Sequence, residues 1–392
     1  MNHSKVRDIE QVVHQTIVSG SIAGMNLLII KDGEELLYCS DGYADVKNKR
    51  PVQRNSIFRL YSMTKPVTAA AAMILVERGL LDLGQPVSDF LPGFRDQKVC
   101  SEEKLLAPDR PAIIRDLLNM TAGLVYPGTD GEAEIQTARV FDKIIANLGT
   151  DHQVSTVEAA NAIGECPLKY QPGKTYFYSS GADVLGAVIE VVSGMKFGDF
   201  LQKEIFEPLQ MNDTGFYVPK SKADRVVIPY QSTPDGTLNV YKGCNLGVQN
   251  DVTKKNAFES GGAGLVSTLD DYASFATMLL DGGIYREKRI LSEQTVKFMT
   301  EGSLTSGQEK GLESAPALLG HTYGNLMRVL KDPGQALSMG NLGEYGWDGW
   351  LGCYFSNDPK ERMTILAGVQ QTDSGMLPII RKIRNILYRS SF

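Results

Sequence analysis

Three serines in this chain stand three residues ahead of a lysine: Ser62 before Lys65, Ser101 before Lys104, and Ser193 before Lys196. Such a pair can do hydrolytic chemistry, because a serine hydroxyl becomes a nucleophile when a neighbouring base takes its proton. On a helix, positions i and i+3 share a face, so the lysine reaches the hydroxyl. A lysine desolvated there loses part of its proton affinity and can act as a base near neutral pH. The unpaired N–H groups of a helix start also favour a developing oxyanion. Context separates the three pairs. Ser101 lies in a charged, loop-like run, and Ser193 precedes Gly194 at a helix C-terminus. Ser62 alone sits between a strand-like stretch, residues 57–61, and an apolar, alanine-rich helix over residues 64–78. Pro66 suits the first turn of that helix, where its missing N–H had no partner anyway. The pair by itself still leaves two readings open, a nucleophile or a helix-capping serine.

Other hydrolytic chemistries fit less well. There is no Gly-x-Ser-x-Gly elbow, and the four histidines, His3, His14, His152 and His321, never fall at metal-ligand spacing. No metal and no cofactor is expected. The five cysteines (Cys39, Cys100, Cys166, Cys244, Cys353) are odd in number and far apart, which reads as reduced structural thiols. A net charge of −6 gives no reason to expect nucleic acid, and Lys254, Lys255, Arg381, Lys382 and Arg384 read as solvated helix faces. The most apolar stretch, residues 67–76, is too short to cross a bilayer. The first residues lack the apolar core of a secretory signal, so a cytoplasmic location is expected, with no membrane partner.

The elements that must position Ser62 follow from hydrophobic periodicity. Residues 5–18 read as a surface helix and residues 25–30 as a strand, with a turn at Lys31-Asp32-Gly33 and a hairpin partner at residues 35–39. Short amphipathic helices (residues 113–120 and 182–192) mark a Gly- and Pro-rich middle region. A helix over residues 269–280 follows, then strand-like segments at 321–330, 351–356 and 362–370, and a last helix at 378–388. The expected fold is α/β (α+β). An antiparallel sheet built from both chain ends is flanked by helices, with residues 1–84 and 261–392 forming the sheet domain and residues 85–260 an inserted helical domain. The length of 392 residues suits such a division.

Several segments, in order, resemble the serine β-lactamase, penicillin-binding-protein and esterase superfamily. They are Tyr61-Ser62-Met63-Thr64-Lys65, the stretch 113–124, Gln171-Pro172-Gly173 through Tyr178-Ser179-Ser180 to Leu185-Gly186, and Gly262-Ala263-Gly264-Leu265 with Asp271-Tyr272. The similarity spans residues 20 to 370, closest to class C β-lactamases and the carboxylesterases that share their fold. It implies catalysis by Ser62, Lys65 and Tyr178. Tyr178 also stands out by context, between a Pro-Gly turn and a helix, and a phenol beside a lysine can be held partly ionised to shuttle a proton. The family's third motif is best matched by Trp347-Asp348-Gly349, while His321-Thr322-Tyr323-Gly324 resembles it only as written. The resemblance places the backbone N–H groups of Ser62 and Trp350 in an oxyanion hole, and Ser180, Trp347, Asp348 and Gly349 against the substrate.

The third motif usually carries a cation that grips a substrate carboxylate. Trp347 offers none, and Asp348 would repel one. Ser180 stands where an asparagine often orients an amide side chain. Both departures point to small neutral esters, hydrolysed through an acyl-enzyme on Ser62. A β-lactamase, a D-amino-acid peptidase or amidase, and an acyltransferase are the alternatives within the fold. A catalytically silent binding or filament-forming relative is the alternative outside enzymes. Oligomeric state is not legible.

Overall fold

The computed structural model describes residues 3–389 except 103, 234 and 235. Eight strands form one antiparallel sheet: β1 (Gly24–Lys31), β2 (Glu34–Asp45), β3 (Arg50–Pro51), β4 (His321–Gly324), β5 (Met327–Leu330), β6 (Tyr345–Asp348), β7 (Tyr354–Asp358) and β8 (Met363–Gly368). Their spatial order is β4-β5-β6-β7-β8-β1-β2-β3, so the two chain ends meet where β1 pairs with β8, Leu28 opposite Leu366. This is the expected sheet.

Successive side chains of a strand point to opposite faces. Leu27 and Ile29 of β1 enter one core with Ile9 and Val13 of helix α1 (His3–Val18) and Ile379, Ile380 and Ile383 of the last helix, Pro378–Tyr388. Leu28 enters the other core, with Phe355, Leu366 and the helices α2 (Thr64–Glu77), α3 (Gly181–Ser193) and α4 (Leu269–Leu280). Every residue of α2 from Thr64 to Leu75 is buried. A helix apolar all round belongs in a core, and its alanines let neighbours approach closely. The same core runs on through Leu117, Phe141 and Val188, so the sheet and the helical middle share it.

Four local expectations change. Within residues 57–61 only Phe58–Arg59 is a strand, paired with Val266–Ser267 outside the main sheet. The segment 321–330 is a hairpin: Asn325 and Leu326, at φ 49° and 63°, turn β4 back into β5, the two-residue geometry that matches strand twist. Residues 126–155, which by sequence read as a loop shaping the pocket, hold a helix, Glu132–Ala146, which buries Ala133, Thr137, Phe141 and Ile144. Arg384 is not a solvated face residue. It is buried and pairs with Glu344, 2.7 Å from Nη2 to Oε2.

Candidate active site

The turn before α2 is held from several sides. Leu60 N–H donates to Leu265 C=O at 2.9 Å, and Thr64 Oγ1 accepts from Leu265 N–H at 3.1 Å. Tyr272 OH donates to Met63 C=O at 2.9 Å. Between these anchors Tyr61 takes φ 45°, left-handed backbone that costs a non-glycine residue about 1–3 kcal/mol. Ser62 follows in the 3₁₀ turn Tyr61–Met63 that leads into α2. It keeps 9% of its surface, while Lys65 keeps none.

Lys65 Nζ has three partners: Ser62 Oγ at 3.1 Å, Tyr126 OH at 3.0 Å and Gly262 C=O at 2.8 Å. A neutral amine carries two N–H donors and one lone pair. Donation to Gly262 and Tyr126 therefore leaves the lone pair for the Ser62 hydroxyl. Burial favours that neutral form and pushes the Lys65 pKa down to about 7, opposed by the charges of Asp183 and Asp348. Asp183, itself buried, accepts from Ser260 Oγ at 2.5 Å and from Gly262 N–H at 3.1 Å. It thus fixes the loop whose carbonyl holds Lys65. Gly262 has no room for a side chain, since a Cβ would come within 2.8 Å of Asp183 Oδ2 and 3.0 Å of Tyr126 OH.

Tyr178 hydrogen-bonds to Ser62 and accepts from Trp347 Nε1 at 3.2 Å. Lys65 Nζ stands 4.7 Å from its ring centre. The expectation of a partly ionised phenol is corrected here. Burial outweighs those hydrogen bonds and raises the Tyr178 pKa, so the resting phenol keeps its proton. The group poised to exchange a proton near neutrality is Lys65.

β6 delivers the third motif. Gly349 packs so closely that a Cβ would lie 2.2 Å from Leu60 C=O. Gly349 N–H donates to Cys353 C=O at 2.7 Å and Gly352 N–H to Gly349 C=O at 2.8 Å, a tight turn around Trp350. The Trp350 indole meets the Tyr61 ring at 5.1 Å, beside Ser62. Asp348 forms an ion pair with Arg328 of β5 at 3.0 Å. The decoy histidine motif is β4, at the sheet edge. The structure thus brings Ser62, Lys65, Tyr178, Trp347, Gly349 and Trp350 together. Two of the expected substrate contacts are exceptions: Asp348, which is engaged by Arg328, and Ser180. Ser180 is fully buried, and its Oγ donates to Val125 C=O at 3.0 Å, bracing the segment that carries Tyr126. Ser193 ends α3, and Ser101 and Lys104 sit on a small hairpin with Glu103 outside the described residues.

Sequence reasoning passed over Tyr126, Asp183 and Arg328. Tyr126 follows the segment 113–124 by two residues and Asp183 lies inside the Tyr178 segment, but only the fold turns both toward Lys65. Among the described residues, no cluster of three or more His, Cys, Asp or Glu could hold a metal, and no helix is long and apolar enough to cross a membrane.

Comparison with known proteins shows the family and the fold. The family model described as Beta-lactamase matches residues 9–386. Protein Rv1367c of Mycobacterium tuberculosis is 30% identical over 377 residues, covering 92% of this chain and 88% of its own. Esterase EstB of Burkholderia gladioli is 26% identical, covering 97% and 94%. Among solved structures, that of EstCE1, described as a hydrolase with promiscuous acyltransferase activity, superimposes with a TM-score of 0.83 at 26% identity, covering 98% of both chains. The chain belongs to the beta-lactamase family, as a serine hydrolase of the β-lactamase fold close to the esterase EstB and the hydrolase EstCE1.

Proposed function

We propose that the protein is a carboxylesterase that hydrolyses small neutral esters through an acyl-enzyme on Ser62. The observation that carries this reading is the pairing of a buried, readily neutral Lys65 at Ser62 with an indole, Trp347, hydrogen-bonded to Tyr178. The nearby cation, Arg328, is already engaged by Asp348. Lys65 takes the proton of Ser62 as the oxygen attacks the ester carbonyl. Tyr178 gives its phenolic proton to the departing alcohol. Water then attacks the acyl-enzyme and returns a proton to the phenolate, while Lys65 hands its proton back to Ser62. The N–H groups of Ser62 and Trp350 hold the oxyanion; they flank the point where Gly349 meets Leu60. The name of Esterase EstB and the description of EstCE1 as a hydrolase support this assignment.

An anionic β-lactam finds no free cation at Trp347. It forgoes a charge-assisted hydrogen bond of about 1.5–3 kcal/mol, roughly a tenfold to hundredfold effect on kcat/KM. The test is a panel of short and long p-nitrophenyl esters, nitrocefin and D-alanyl peptides, with intact-mass trapping of the acyl-enzyme. The kcat/KM for p-nitrophenyl acetate or butyrate exceeds that for nitrocefin by about tenfold or more. Equal turnover of nitrocefin overturns the substrate assignment.

A further inference from the structure

Arg328 is 1% exposed and sits on the strand next to β6. Its Nη1 donates to Asp348 Oδ1 at 3.0 Å and its Nη2 to Phe355 C=O at 3.3 Å. Its guanidinium lies 4.9 Å from the Tyr354 ring centre and 5.9 Å from that of Trp347. A buried cation of this kind needs a counter-charge, and Asp348 supplies it. The same carboxylate also accepts from the backbone N–H of Met376. Gly375 makes the space: a Cβ there would come within 2.7 Å of Asp348 Oδ2. Arg328, the Met376 amide and the bare Gly375 thus form a nest for one carboxylate. Its occupant comes from the chain itself, from the residue between Trp347 and Gly349. The Asp348 side chain is not sealed in; 18% of it stays exposed.

We propose that Arg328, Met376 and Gly375 build a carboxylate subsite beside the active serine, that Asp348 plugs it from within, and that this plug determines the exclusion of carboxylate-bearing substrates. The proposal rests on the esterase reading for its kinetic consequence. The subsite itself stands on the contacts of Asp348. Removing the plug leaves a guanidinium and an N–H aimed at a vacated, partly open position. A substrate carboxylate can then take the place of the side chain.

The experiment compares charged and uncharged esters of one shape, 3- and 4-acetoxybenzoate against their acetoxybenzamides, with nitrocefin alongside. Asp348→Ser raises the charged-to-neutral ratio of kcat/KM by about tenfold or more, the effect of one charge-assisted hydrogen bond, and chiefly through KM. Adding Arg328→Met to Asp348→Ser returns the ratio to its original value. An unchanged ratio in folded Asp348→Ser, or a rise that persists in the double variant, overturns the proposal. A second arm needs no turnover. The melting temperature of Asp348→Gly rises in sodium acetate above its value in sodium chloride of equal ionic strength, while the unmodified protein shows no such difference. Equal melting in the two salts, or failure of the variant to fold in either, counts against the subsite. If the unmodified protein leaves the neutral acetoxybenzamides untouched, the esterase reading falls. The acetate arm then judges the subsite alone.

Discussion

Lys65 Nζ lies 3.1 Å from Ser62 Oγ, the lysine wholly enclosed and the serine just open to solvent. One turn of helix separates them, and the surrounding core decides their chemistry. The lysine shares its remaining hydrogen bonds with a carbonyl and a phenol rather than with a carboxylate. It can therefore lose its proton without breaking a direct salt bridge.

Ser62→Ala abolishes ester hydrolysis, whereas Ser101→Ala and Ser193→Ala leave it intact, because neither of those serines approaches the Lys65 cluster. Labelling with a fluorophosphonate and peptide mapping checks this. An adduct on any other serine contradicts it.

Lys65→Ala and Tyr178→Phe each cost at least the roughly 10²–10⁴-fold typical of lost acid–base catalysis. Both residues touch one hydroxyl, so they act as a unit and the double variant loses little more than either single one. Fully additive losses in kcat/KM would show that the two protons move independently.

The pH profile reports Lys65. Its neutral form is the base, so kcat/KM rises with pH and levels off above about 7, where burial has set its pKa. The charge of Asp183 raises that pKa. Asp183→Asn keeps an oxygen for Ser260 and Gly262 but removes the charge. The acid limb then moves to lower pH. A limb that stays in place while activity drops would reduce Asp183 to a structural role.

Gly349→Ala tests the oxyanion hole without touching a reacting side chain. Its new Cβ would meet Leu60 C=O at 2.2 Å, so β6 must move away from the Ser62 turn and carry the Trp350 N–H with it. The expected loss is about 10²–10³ in kcat, the effect of removing one such donor, with KM little changed. Wild-type kcat in a folded Gly349→Ala protein would remove Trp350 from the hole.

The reach of sequence and of structure divides along a physical line. Local chemistry was legible in the residues. The continuous apolar run at β1, the strongly amphipathic last helix, and the alanine-rich α2 with Pro66 in its first turn dictate those elements whatever lies around them. The i, i+3 spacing of Ser62 and Lys65 is likewise a property of one helix. Contacts between distant segments were not legible, because no local pattern encodes them. Tyr126 reaches Lys65 across 61 positions, and Asp183 meets Gly262 across 79. Charge was the hardest to read. Arg384 on an amphipathic helix reads as solvated until Glu344 is seen beside it. Asp348 reads as a charge facing substrate until Arg328 is found on the next strand. A proton's position depends on burial, and burial belongs to the packed fold. Sequence therefore named the lysine and the tyrosine, and only the tertiary structure decided that Lys65 is driven toward neutrality while Tyr178 holds its proton.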